Sequence, residues 1–178
     1  MPIYQPEQYN LVIKRIKEKC IAEDSFLGEQ LLEQEICLFE KNHDTILPEA
    51  YRKFLLEVGD GCDMIGGFKM KSLDMIDRLI SEKLSATFPF EDPWIWEDEE
   101  CPSESQLLEV GNGNIELIHI GDAQSYNLIV IGKCRGEIWF FCDVGIQPCW
   151  QRQDFLGWFE KWLDYGNDVD YFTEYQYE

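Results

Sequence analysis

The sequence predicts a single α+β domain in which helices flank a mostly antiparallel central β-sheet. The 178 residues are 45% hydrophobic and 14% aromatic, which is enough to build a core. Apolar residues recur at helical spacing up to about residue 84, and from residue 114 the period changes to that of strands. Helices that precede a group of strands, with one closing helix, are typical of an α+β fold.

Helical spacing of apolar residues predicts helices over 7–20, 26–41, 48–58, 73–84 and 153–165. Pro48 suits the first turn of the third helix, because a proline there loses no hydrogen bond. We expect Gly59 to end this helix in the left-handed conformation and Ser72 to cap the next helix.

β-branched and aromatic residues predict three strands over 115–120, 125–131 and 137–142, and their short connections suit antiparallel neighbours. We expect one domain over residues 1–166, with an acidic loop at 85–109 inserted into it. Pro89, Pro93 and Pro102 discourage regular structure in this loop. Residues 167–178 are acidic and rich in tyrosine, and we expect them to form a mobile tail.

The charge of the chain excludes several classes of partner. Its formal net charge is -20, which repels nucleic acid and anionic membranes but attracts basic proteins. Residues 1–20 mix charged with apolar side chains, so we expect no export signal and a cytoplasmic location. The seven cysteines have irregular spacing, and we expect reduced thiols.

The most informative segment lies in the middle of the chain. Residues 84–132 contain no lysine or arginine but ten acidic residues. Two tryptophans lie among these acids, and aromatic anchors beside steering charges are typical of a protein-binding surface. We expect both indoles to be at least partly exposed. The predicted partner-binding residues are Glu91, Asp92, Trp94, Trp96, Glu97, Asp98, Glu99 and Glu100.

The sequence shows no pattern that indicates catalysis. His43 and His119 have no cysteine or histidine nearby at metal-ligand spacing, so we expect neither a metal site nor a cofactor. Gly111-Asn112-Gly113 is too short for a dinucleotide motif and is interpreted as a turn. We therefore expect that the protein is not an enzyme.

Several segments, in order along the chain, resemble one known superfamily. They are Leu47-Pro48-x-x-Tyr51-x-x-Phe54-Leu55 followed by Gly59 and Gly61, Ile118-x-Ile120-Gly121-Asp122, Gly132 to Gly136 with Glu137-Ile138-Trp139-Phe140-Phe141, and Asp154-Phe155-Leu156-x-Trp158-Phe159 continuing to Trp162-Leu163. Together they are similar to the SUKH superfamily over roughly residues 28–165. Ala123-Gln124-Ser125 departs from the glycine-rich turn that is commoner in that superfamily.

The resemblance implies an α+β fold and a role in protein binding. Most bacterial members are immunity proteins that neutralise polymorphic toxins, often nucleases, and a minority of relatives, including fungal cell-wall-assembly regulators, are interaction scaffolds. The first hypothesis is therefore an immunity protein that binds the basic catalytic domain of a cognate toxin. The alternative is a non-catalytic scaffold, or adaptor, with several host partners.

Overall fold

The computed structural model of the protein describes residues 3–22, 26–63, 68–80, 84–98, 102–149, 152–165 and 170. The helices within these ranges are α1 (Tyr9–Ala22), α2 (Glu33–Asn42), α3 (Glu49–Glu57), α4 (Leu73–Leu79), α5 (Glu104–Glu109) and α6 (Phe155–Tyr165), with short 3-10 helices at Pro6–Gln8 and Trp96–Asp98. The strands are β1 (Cys62–Asp63), β2 (Lys69–Met70), β3 (Trp94–Ile95), β4 (Asn114–Gly121), β5 (Gln124–Ile129), β6 (Ile138–Phe141) and β7 (Gly145–Pro148).

The central sheet has five antiparallel strands in the order β3-β7-β6-β5-β4, and β1 and β2 form a separate pair. This arrangement confirms the predicted α+β class and the three predicted strands. A two-residue turn joins β4 to β5 through Asp122 and Ala123, which have φ values of 46° and 60°. Positive φ at both positions matches the twist of a tight hairpin, even though no glycine occupies either position.

The main core lies between one face of the sheet and helices α1, α3 and α6. Helix α3 presents Tyr51 and Phe54 to Phe155 of α6, with ring centroids 4.8 and 4.9 Å apart in edge-to-face geometry. Trp158 and Phe159 are also fully buried. The apolar stripes that predicted these helices are therefore the surfaces that form the core.

Helix α6 is fixed to the N-terminal part of the chain by a buried acid. Glu160 accepts hydrogen bonds from Arg15 Nε at 2.8 Å, from Lys19 Nζ at 3.2 Å and from the Tyr4 hydroxyl. These partners keep the pKa of Glu160 below its ordinary value, although burial alone would raise it.

A second, smaller core covers the opposite face of the sheet. Its buried members are Phe88, Ile129, Cys134, Trp139, Phe141 and Ile146. Along β6, Ile138 points into the main core, whereas Trp139 and Phe141 point into the second. Alternate residues of a strand face opposite sides of a sheet, so the continuous apolar run Ile138–Phe141 is explained by a sheet that is covered on both faces.

The second predicted helix is shorter than expected. Helix α2 begins at Glu33 rather than at residue 26, because the preceding segment pairs with the C-terminal turn of α3 and with the segment that leads into β1. Gly28 N donates to Gly61 O at 3.0 Å, Leu31 N donates to Leu55 O at 2.9 Å, and Leu27 forms a β-bridge with Cys62. Long-range backbone pairing therefore overrides the local helical spacing.

The role predicted for Gly59 is wrong. Gly59 is not among the residues with positive φ, and Val58 is the C-cap of α3. A Cβ atom at Gly59 would lie 2.5 Å from Gly28 O. Glycine is thus required here for the close approach of two backbone segments and not for a left-handed cap.

Other predicted boundaries also change. Ser72 caps α4 as predicted, accepting from Met75 N at 3.3 Å, but α4 ends at Leu79 and residues 81–83 lie outside the described residues.

The segment 85–109, predicted as an irregular loop, contains β3, the second 3-10 helix and α5. Of the predicted tail, the structure describes only Asp170, whose carbonyl oxygen accepts from Lys161 Nζ at 2.6 Å.

Candidate protein-binding surface

Residues 90–98, which we name the aromatic–acidic edge, lie at one border of the central sheet. Within them β3 pairs with β7, so that Trp94 is opposite Ile146 and Ile95 is opposite Gly145. A Cβ atom at Gly145 would lie 2.5 Å from Ile95 Cδ1 and 2.8 Å from Trp94 O. The absence of a side chain at Gly145 therefore allows β3 to pack closely against the sheet.

The rings of the aromatic–acidic edge form a continuous row that begins in the second core. Phe88 contacts Phe90 with 5.4 Å between ring centroids, Phe90 stacks on Trp94 at 5.0 Å with an interplanar angle of 12°, and Trp94 meets Trp96 at 5.2 Å. Trp96 Nε1 donates a hydrogen bond to Asp143 O at 2.8 Å. Both indoles are half-buried, in agreement with the predicted partial exposure. Their inner faces cover the second core.

Arg152 holds the aromatic–acidic edge against the sheet. Its guanidinium donates to Glu137 Oε2 at 3.2 Å, to Asp92 Oδ1 at 3.2 Å and to Glu91 O, and it lies 6.0 Å from the ring centroid of Trp139. Burial raises the pKa of Glu137, whereas the charge of Arg152 lowers it. The cation therefore supports a carboxylate that is largely removed from water.

The predicted contact acids differ in how firmly they are held. Glu91 accepts from Lys133 Nζ at 2.6 Å, and this bond raises the pKa of Lys133. Asp92 contacts Arg152, yet its side chain remains 89% exposed. Glu97 is exposed, and its backbone N–H donates to Val144 O at 3.4 Å. A partner must compete with Lys133 for Glu91 and with Arg152 for Asp92, but it can approach the exposed Glu97 directly.

The other predicted site residues are only partly described. Asp98 ends the 3-10 helix Trp96–Asp98, and Glu99 and Glu100 lie outside the described residues. The structure therefore brings together Glu91, Asp92, Trp94, Trp96 and Glu97 along one border of the sheet.

Sequence reasoning missed the residues that position this surface. Lys133, Glu137 and Arg152 lie about 40 to 60 positions further along the chain, and no local pattern connects them to residues 90–98. The sequence does contain a signal for the packing of the segment itself. Phe88 and Phe90 alternate with other residues, which is typical of a segment with one buried face.

The Cys134 thiol and the two imidazole groups have ordinary structural contacts. Burial raises the pKa of the Cys134 thiol, which stays protonated at neutral pH and is then a poor nucleophile. His43 Nε2 lies 2.6 Å from Asp77 Oδ1, and His119 Nδ1 lies 3.6 Å from Glu116 Oε1. The part of the chain that the structure describes contains no group of three or more histidine, cysteine or acidic residues that could hold a metal ion.

Comparison with models of known protein families finds no match, and neither does comparison with curated protein sequences. Among the described helices, none combines the length and the apolar character needed to cross a membrane.

Proposed function

We propose that this protein is a cytoplasmic immunity protein of the SUKH type, which neutralises a basic toxin by forming a stoichiometric complex with it. The observation that carries the proposal is the aromatic–acidic edge, where a supported row of half-buried rings lies beside exposed carboxylates. The order of the SUKH-like segments along the chain supports the same proposal.

The two kinds of side chain contribute to binding in different ways. The net charge of -20 attracts a basic partner over a long range and increases the rate of encounter. The partner buries the area of the indoles that is still exposed in the free protein, and this burial slows dissociation. Because Arg152 and the row of ring contacts already hold the segment in place, little conformational entropy is lost on binding.

The proposed mechanism is competition for the cations of the toxin. A nuclease toxin holds its substrate through lysine and arginine contacts with phosphate groups. The carboxylates of Asp92 and Glu97, together with the other acids of residues 91–100, occupy those cations and exclude the nucleic acid.

Co-expression with the product of the neighbouring reading frame tests the function directly. We expect a stable complex, loss of toxin activity at a fixed molar ratio, and full recovery of that activity after the complex is separated. Permanent inactivation of excess toxin by a substoichiometric amount would show that the protein is an enzyme, and failure to bind that product would refute the pairing.

A charge-matched pair of variants tests the surface. Replacing Glu97, Asp98, Glu99 and Glu100 with serine should slow association with the toxin by roughly tenfold at low salt and flatten its salt dependence. The control replaces four acids elsewhere on the chain with serine, at Glu7, Glu18, Glu29 and Asp63. Equal effects of the two variants on the association rate would remove the aromatic–acidic edge from the interface.

A further inference from the structure

A groove of about 230 Å³ lies between helices α2 and α4. Its apolar lining consists of Leu31, Leu38, Phe39 and Leu73, and Leu38 is 59% exposed. This volume is below the roughly 300–1,000 Å³ of sites that enclose a whole small molecule. The groove is therefore of a size to receive one long side chain.

Four carboxylates surround this apolar surface, at Glu35, Asp60, Asp74 and Asp77, and the described lining contains no lysine or arginine. Two of them are held by the chain itself, since Asp60 accepts from Leu73 N at 2.8 Å and Glu35 accepts from Leu32 N at 2.7 Å. These hydrogen bonds fix both carboxyl groups in position at the rim of the groove.

The other two carboxylates lie on the exposed face of α4. Asp74 and Asp77 are three positions apart, which places them on the same side of the helix. Asp77 contacts His43, whose ring packs against Phe39 with 4.5 Å between centroids, and Asp74 forms an exposed pair with Arg78. Exposed pairs of this kind contribute little energy, so an incoming cation can replace Arg78 at small cost.

We infer that this groove binds an arginine side chain of a basic protein partner. The aliphatic stem of arginine can lie along Leu38 and Phe39, while its planar guanidinium donates to two carboxylates at once. Lysine fits less well, because its compact, strongly hydrated ammonium cannot make the same paired hydrogen bonds.

The groove is separate from the aromatic–acidic edge and does not depend on the proposed function. Helix α4 contacts β4, whereas the aromatic–acidic edge contains β3, and these two strands are the opposite borders of the sheet. Four strand spacings separate them by roughly 19 Å. The groove is thus a second binding surface, whose occupant is a basic protein that presents an exposed arginine.

Titration of the ¹⁵N-labelled protein with acetyl-Gly-Arg-Gly-amide tests this inference by NMR. We expect saturable shifts centred on the amides of Leu38, Phe39, Leu73 and Asp77. Replacing the arginine of the peptide with citrulline, which keeps the shape but removes the charge, should abolish these shifts, and lysine should weaken binding severalfold. Shifts spread evenly over the acidic surface, or equal affinity for the citrulline peptide, would overturn the inference.

Matched variants locate the site. The double variant Asp74→Asn, Asp77→Asn should weaken binding of the arginine peptide by about tenfold, as expected for the loss of charge-assisted hydrogen bonds. Glu104→Gln with Glu109→Gln on α5 removes the same charge elsewhere and should change affinity by less than about twofold. Leu38→Ala should also weaken binding of the arginine peptide, and because Leu38 is exposed this change should not affect folding. Unchanged affinity in both groove variants would place the peptide elsewhere.

Discussion

Arg152 shows how one residue connects the candidate surface to the rest of the fold. It contacts Glu137, a partly buried acid that directly precedes β6, together with an exposed acid of the aromatic–acidic edge and a backbone carbonyl of the same segment. Its φ of 54° is in the left-handed region, which costs a non-glycine residue on the order of 1 kcal/mol. The hydrogen bonds of its side chain offset that cost.

Replacing Arg152 with alanine should lower the free energy of unfolding by about 1–3 kcal/mol, because Glu137 would lose its cation while remaining mostly buried. Denaturant unfolding measures this loss. Arg78→Ala, which removes an exposed pair, should cost less than about 1 kcal/mol. Adding Glu137→Gln to Arg152→Ala should restore part of the stability; no recovery would mean that the uncompensated acid is not the cause.

Asp60 predicts a pH dependence of stability. Burial raises the pKa of Asp60 to about 6, well above the value of an unfolded chain. The folded state therefore binds more protons than the unfolded state between pH about 4 and 6. The contribution of Asp60 to stability is present at the low end of this range and is lost as the pH rises through its folded pKa.

The Asp60→Asn variant should consequently be more stable than the natural protein at pH 7.5, with a difference that shrinks as the pH falls towards 4. Asparagine keeps the oxygen that accepts from Leu73 N, so the change removes mainly the charge. Unfolding curves at several pH values measure the difference, and Asp63→Asn at an exposed position controls for the loss of one negative charge. A difference that grows on acidification would contradict the prediction.

At the scale of elements, the attachment of β3 to β7 determines whether the aromatic–acidic edge is formed. Only two pairs of residues join these strands, Trp94 with Ile146 and Ile95 with Gly145. The ring stack and the Trp96 Nε1 hydrogen bond to Asp143 add contacts outside the strand pairing. The packing of side chains therefore matters as much here as the hydrogen bonds of the sheet.

Gly145→Ala should displace β3, because the new methyl group would lie 2.8 Å from the backbone oxygen of Trp94. We expect a loss of about 1–3 kcal/mol in the free energy of unfolding and a red shift of tryptophan fluorescence as the indoles gain exposure. Gly111→Ala, where a Cβ atom would lie 4.0 Å from Leu108 O, is the control and should change neither quantity appreciably. Equal behaviour of the two variants would show that β3 is not held by this close approach.

For the whole molecule, the dominant property is the excess of negative charge. The chain has 35 acidic and 15 basic side chains. Like charges lie closer together in the folded protein than in the unfolded chain, so their repulsion destabilises the folded state. The internal ion pairs, such as Glu160 with Arg15 and Lys19, neutralise only part of this charge.

Stability should therefore rise when sodium chloride is increased from about 20 to 500 mM, because the screening length shortens from tens of ångströms to a few. Thermal unfolding measures the trend. The dependence on salt should be weaker in the variant with serine at Glu7, Glu18, Glu29 and Asp63, which carries four fewer negative charges. A midpoint that falls with added salt would indicate that ion pairs outweigh the repulsion.

The sequence alone determined the fold class, the strands β4 to β6 and the core face of α3, because these depend on local periodicity and on residue types that bury well. It also located the aromatic–acidic segment. Only the tertiary structure decided that residues 27–31 pair with the end of α3 and the segment before β1, that β3 and β7 extend the sheet, and that the indoles cover a second core. Contacts such as Arg152 with Glu91, 61 positions apart, are set by how the chain packs, and no local pattern encodes them.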